Sequence, residues 1–222
     1  MKKIMFFIMC SAITTSLFAL DIKAGGQAGL FHGQGGGSDW NDSLESGINN
    51  EFRLGFEMGG FWEIPINDFF SIQPELNFLL RRAGYGGENS DYTGTYKDEY
   101  TITTKSIEIP ILAKLNFGSE KFKFFVLAGP TLEIIIGNIE NTLKRKITDL
   151  YGSHDDDMDY SYAPDNRVIF GVATGLGFSV PAGNGRFIFD LRYRRTLSDF
   201  SDTNTKLSTI GFRIGYGLDI EL

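Results

Sequence analysis

Polar and apolar residues alternate along most of this chain with a period of two. That period places successive side chains on opposite faces of a strand. In the last segment Ile210, Phe212, Ile214, Tyr216, Leu218, Ile220 and Leu222 share one face. Thr209, Gly211, Arg213, Gly215, Gly217, Asp219 and Glu221 share the other. A helical period would carry Asp219 and Glu221 into the apolar side. Segment 186–195 repeats the pattern, with Phe187, Phe189, Leu191 and Tyr193 set against Asp190, Arg192 and Arg194. The alternation predicts eight strands, near 22–32, 50–64, 69–84, 101–117, 121–137, 166–181, 185–197 and 207–222.

The links between them follow a rule of their own. Tight links near 65–68, 118–120 and 182–184 take turns with long ones at 33–49, 85–100, 138–165 and 198–206. An up-and-down barrel crossing a membrane has this arrangement, with turns on one side and loops on the other. The segments meet the roughly 9–11 residues that a tilted membrane strand requires. The expected fold is therefore all-β, an eight-stranded antiparallel up-and-down transmembrane barrel. Residues 20–222 form its one domain.

Alternation alone does not say which face points inward. The apolar faces are uniformly bulky, and eight of them would overfill the narrow interior of a small barrel. The opposite faces mix Gly with charges of both signs. The apolar faces are thus assigned to lipid. Arg53, Glu57, Glu75, Arg81, Glu108, Lys114, Glu133, Asp190, Arg192, Arg194 and Arg213 become ion-pair candidates in the lumen. Arg192 and Arg194 are expected to pair with acids such as Asp190 and Glu133, because an unpaired buried charge costs several kcal/mol. Trp62, Tyr85, Tyr100 and Tyr193 lie near segment ends and suit interfacial girdles. Pro74, Pro110 and Pro130 each remove a ladder donor, so bulges or tolerated gaps are expected there. The competing arrangement is a secreted lipocalin-like cup, with its apolar face turned inward around a ligand.

Composition sharpens this picture. The chain has 222 residues with 27 Gly, 20 Phe and 6 Pro, which suits strands and turns. A single Cys excludes an internal disulfide. Residues 1–19 (MKKIMFFIMCSAITTSLFA) have the charged start, apolar core and small final residue of a secretory signal peptide. Its removal would take Cys10 with it. The net charge would move from -7 to -9 through loss of Lys2 and Lys3. An acidic balance argues against nucleic acid as a partner. The four long links hold 16 acidic and 5 basic residues, so the acidity is concentrated in them. Divalent cations and an electropositive envelope or extracellular protein are the partners expected at those loops. Outer-membrane lipid surrounds the wall.

His32, at the end of the first strand, and His154, in the longest link, are the only histidines. They are the candidates for a rim-located hydrolase or acyltransferase. Acids are so abundant in the loops that a carboxylate near either His carries little weight, and no catalytic residue is expected. Asp155, Asp156, Asp157 and Asp159 offer hard oxygen ligands of the kind calcium takes. Their spacing is not that of an EF-hand, and the fixed Gly is absent. Gly35–Gly37 has no strand-to-helix context for a phosphate loop. No cofactor is expected.

Several strings carry a family resemblance: KAGGQAGL at 23–30, IQPELNFL at 72–79, IEIPILAKL at 107–115, LAGP at 127–130 and FDLRYRRTLSDF at 189–200. Together they resemble the PorT-like outer-membrane β-barrel family. The resemblance implies an eight-stranded barrel in the cell outer membrane, with the three prolines as a family habit. The expected role is non-catalytic. The lumen is filled with side chains, and the acidic outward loops serve envelope structure, adhesion or partner docking.

Overall fold

The computed structural model describes residues 22–36, 49–90, 94–149, 152–164, 166–198 and 206–220. The export signal expected at 1–19, most of the link at 33–49 and most of that at 198–206 lie outside the described residues. Among the described residues ten strands follow one another: β1 (Ile22–Gly36), β2 (Asn49–Glu51), β3 (Leu54–Pro65), β4 (Phe70–Ser90), β5 (Gly94–Ser119), β6 (Phe122–Asp149), β7 (Gly152–Tyr162), β8 (Val168–Ala182), β9 (Gly185–Thr196) and β10 (Lys206–Ile220).

Eight of them close a ring in the order β1-β3-β4-β5-β6-β8-β9-β10, with every neighbour antiparallel. The ring shuts where β1 meets β10, in unbroken register from Ile22–Ile220 to Gly36–Lys206. β2 hangs on β4 and β7 on β6, both outside the ring. The tight turns fall where the sequence places them. Asn67 builds one, its Oδ1 accepting hydrogen bonds from the Phe69 and Phe70 amides at 3.0 and 2.9 Å. Gly183 builds another with a φ of 61°, a left-handed conformation that glycine adopts without steric cost.

The wall is inside out relative to a water-soluble protein. Leu30, Phe56, Met58, Leu76, Ile111, Phe170, Leu176 and Phe212 are exposed on its outer surface. Buried side chains of the opposite parity include eleven charged residues. An aromatic band crosses four adjacent strands on the outside near the turn end. Phe122 stacks on Phe178 at 5.2 Å, Phe178 on Phe189 at 4.9 Å, and Phe189 on Phe212 at 6.4 Å. Such a girdle marks a membrane interface. Tyr85 and Tyr100 do not belong to one. They stack on each other at 4.8 Å and share strand parity with the inward residues Arg81 and Thr104.

The prolines are accommodated by gaps. The β3–β4 ladder passes from Phe61–Glu75 to Ile64–Ile72, skipping Pro74. The β4–β5 ladder passes from Pro74–Ile111 to Asn77–Glu108, skipping Pro110. The β5–β6 ladder passes from Pro110–Thr131 to Ala113–Ala128, skipping Pro130. No register shift occurs at any of the three. The shift in this part of the wall lies elsewhere, between Thr103 and Lys105, opposite Gly137 with its φ of 75°.

That shift marks the largest departure from the expected layout. Links 85–100 and 138–165 read as loops, yet both are mostly strand. β4 continues to Ser90, β5 begins at Gly94, β6 continues to Asp149, and β7 returns beside it. With 21, 26 and 28 residues, β4, β5 and β6 are far longer than a membrane crossing needs. A sheet of β4, β5, β6 and β7, with short β2 along the edge of β4, therefore rises beyond the barrel on the side opposite the tight turns.

Candidate functional site: the filled lumen and the projecting sheet

Alternate residues of each wall strand meet along the barrel axis in tiers. Nearest the turn end, Lys114 donates to Glu63 at 2.8 Å and to Gln73 at 3.0 Å. Its ammonium also lies 4.4 Å from the centre of the Phe125 ring, a cation–π contact. The middle tier centres on Glu75. It accepts hydrogen bonds from Gln27, Gln73, Asn77, Arg192 and Arg213, and Asp190 binds the same two arginines. In the outer tier Arg194 pairs with Glu57 and lies 3.3 Å from Glu108. Arg81 pairs with Glu133 at 2.9 Å.

Ten of the eleven lumen candidates thus sit inside the barrel. Arg53 does not. It lies above the ring on the outer side of β4, where it pairs with Glu51 and with Glu99 at 3.0 Å. The bare backbone of Gly84 makes room for it there, since a Cβ at that position would lie 2.7 Å from Arg53 Cγ. Pair choice also differs in one respect. Arg192 does bind Asp190, but Glu133 belongs to Arg81 and leaves Arg194 to Glu57 and Glu108.

The lumen is not purely polar. Phe31, Phe61, Leu112, Phe125 and Leu127 also point inward and are buried. Glycines on neighbouring strands supply their space. A Cβ at Gly55 would lie 2.5 Å from Phe31, and one at Gly177 would lie 2.5 Å from Phe125. The alternation assigned these glycines to the interior but did not show what fills them.

Among the described residues six buried carboxylates (Glu57, Glu63, Glu75, Glu108, Glu133, Asp190) face five buried cations (Arg81, Lys114, Arg192, Arg194, Arg213). Glu108 and Glu133 are direct cross-strand partners, and like charges so placed repel. Glu108→Gln removes the surplus charge at constant size. We expect it to leave unfolding stability in lipid vesicles unchanged within about 1 kcal/mol, or to raise it. A loss beyond about 2 kcal/mol would make Glu108 an indispensable counterion to Arg194.

The projecting sheet has two unlike faces. Its inner face continues the lumen parity with Tyr85, Tyr100, Leu143, Met158 and Tyr160. Beside them Arg145 grips Asp98 through two hydrogen bonds of 2.8 and 3.0 Å, a fork that fixes orientation. Its outer face is a charge lattice. Lys97 donates to Glu99 at 2.7 Å, and Lys144 and Lys146 stand opposite Asp157 and Asp155. The hydrogen bond from Lys97, with help from Arg53, holds the Glu99 carboxyl below its ordinary value of 4.5 against partial desolvation. A carboxylate lowered in the folded state stabilises above its unfolded value and loses that contribution as pH falls through the folded one. Acidification below pH 4.5 is therefore expected to loosen the Glu99 clasp. Amide exchange along Lys97–Thr101 would show it, with the ring unaffected.

Asp155, Asp156, Asp157 and Asp159 are not gathered into a ligand cluster. They are strung along β7, where Asp155, Asp156 and Asp157 face Lys146, Arg145 and Lys144 across the ladder. Among the described residues no three His, Cys, Asp or Glu side chains converge as a metal-binding group. The two histidines are separate. His32 stacks on Phe52 at 4.4 Å, and its Nδ1 lies 3.1 Å from the Arg53 carbonyl oxygen. His154 is exposed on β7 opposite Ile147.

A closed antiparallel ring, apolar outside and ion-paired within, is a transmembrane β-barrel, since closure satisfies every ladder without water. The chain belongs to the outer membrane protein beta-barrel domain family, whose model matches residues 17–202. That family membership places it in the outer membrane.

No functionally curated protein matches the chain. Among solved structures it is similar to Neisserial surface protein A, with a TM-score of 0.43, 15% identity, and 90% of this chain and 97% of that one covered. It is also similar to Ail, the attachment invasion locus protein of Yersinia pestis, at TM-score 0.36 and 11% identity, covering 89% and 99%. The outer membrane protease OmpT from Escherichia coli gives TM-score 0.38 and 10% identity, covering 90% and 97%.

Proposed function

We propose that this protein is a non-catalytic, non-conducting outer-membrane barrel that presents a docking surface outside the cell. The observation that carries this reading is the continuation of β4, β5 and β6, with β7, beyond a lumen packed with ion pairs and aromatic rings. Eight strands enclose a space that side chains fill, so the barrel serves as a pedestal. Exposed charges and the exposed rings of Tyr160 and Tyr162 lie on the sheet above it. The strings at 72–79, 107–115 and 189–200 support a place in the PorT-like branch of the family. Residues 1–19 supply the export signal. In this reading the partner is an envelope or extracellular protein, and divalent cations have a lesser role because Lys144, Arg145 and Lys146 already oppose the acidic strand.

Two measurements test this. The purified protein in planar bilayers is expected to show no stable channels, and large steady conductance would overturn the plugged lumen. A photo-crosslinking residue in place of Tyr160 is expected to yield a discrete protein adduct in intact outer membranes. A photo-crosslinking residue in place of Phe78 is expected to yield only lipid. Equal protein adducts from both positions would overturn the docking role of the sheet.

A further inference from the structure

We propose that the free edge of β7 receives an extended, lysine- or arginine-bearing strand of another protein. This deepens the docking role proposed above and rests on it. β7 pairs with β6 on one side only, and among the described residues no strand pairs with its other side. All eleven of its residues are exposed. Its register against β6 is continuous from Ile139–Tyr162 to Asp149–Gly152, so no bulge twists the edge away. It contains no proline. At about 3.3 Å per residue the edge offers a template roughly 36 Å long, with a row of free backbone donors and acceptors.

Proteins ordinarily blunt such an edge with proline, a bulge, lysine or extreme shortness. β7 has none of these. Its only protection is negative charge, and negative charge repels only negative partners. β7 is also acidic, with four Asp among its eleven residues. Asp155, Asp157 and Asp159 lie on one face, and Asp156 lies on the other with His154, Met158 and Tyr160. Lys144, Arg145 and Lys146 oppose three of these acids on the β6 side, where they hold the hairpin together. The outer side has no such complement. A strand added there would gain main-chain hydrogen bonds for affinity, with alternate side chains for specificity. Cations at alternate positions would stand beside Asp155, Asp157 and Asp159. A second copy of β7 fits poorly, because antiparallel self-pairing brings Asp against Asp.

The test uses the full-length protein in lipid nanodiscs and a fluorescent nine-residue peptide of alternating Lys and Thr. Binding is expected by anisotropy. The same peptide N-methylated at alternate residues is expected to bind at least about tenfold more weakly, a difference of about 1.4 kcal/mol. The triple variant Asp155→Asn, Asp157→Asn, Asp159→Asn, which keeps the strand's shape, should weaken the parent peptide by a similar factor. An alternating Glu and Thr peptide should not bind. Absence of binding by the Lys peptide, or binding indifferent to N-methylation, overturns strand addition. If the Tyr160 position still gives its protein adduct in membranes while the peptide fails, only this inference falls. Loss of the adduct would instead remove the docking role itself.

Discussion

Glu75→Ala should cost about 3–5 kcal/mol of unfolding stability, the largest loss expected from any single side chain in the lumen. Each Glu75 oxygen accepts three hydrogen bonds, from Gln73, Arg192 and Arg213 on one and from Gln27, Asn77 and Arg213 on the other. Truncation leaves Arg192 and Arg213, both buried, with Asp190 as their one remaining close acid in that tier. Arg192 then has that carboxylate alone, and Arg213 has it together with Glu57 at 3.9 Å. The removal of one partner from a buried ionic network is expensive because the charge left behind keeps its full desolvation cost. Urea titration in lipid vesicles, followed by loss of the compact heat-modifiable band, measures the effect. A change below about 1 kcal/mol would show that the middle tier is wet and weakly coupled.

Phe78→Arg should cost about 2–4 kcal/mol in the same assay, from the opposite side of the same wall. Phe78 is on the outer surface between Met58 and Ile107, and its strand neighbours Asn77 and Leu79 face the lumen. A guanidinium at that level must be pulled toward a headgroup or drag water into hydrocarbon. The effect should grow in thicker bilayers, where the interface is farther away. A water-facing surface would respond within about 0.5 kcal/mol. The substitution therefore reports directly on which face of the strand meets lipid.

The ring of strands and its orientation were both legible in the residue pattern. Period-two alternation marks Phe187 to Tyr193 and Ile210 to Ile220 without ambiguity, and the bulk of one face excludes it from a narrow lumen. The projecting sheet was not legible for a local reason. Gly86, Gly87, Asp98, Asn141 and Asp155 to Asp159 are residues that strands usually avoid, and each alone favours a loop. What makes them strand is cross-strand pairing, Lys144 with Asp157 and Lys146 with Asp155, which emerges only once the register is known. Gly137 hides the continuity further, because the bulge beside it interrupts the apolar run ending at Ile136.

The lumen shows the same divide. Parity identifies which charges point inward but not which meet, since partners lie on strands as distant as Glu57 and Arg194. Arg53 failed because its segment breaks at Phe52–Arg53, between β2 and β3, so parity counted from Leu54 no longer applies.

The seam between β1 and β10 carries a consequence for biogenesis. The ring's first strand pairs with β3 on one side and finds its second partner only in its last strand, from Ile22–Ile220 to Gly36–Lys206. No partial chain can shut itself. A nascent wall ending before Lys206 has two unpaired borders, and hydrocarbon offers neither a hydrogen bond. Insertion cannot proceed strand by strand as an independent process. The wall therefore closes only as a whole, when β10 takes its place beside β1.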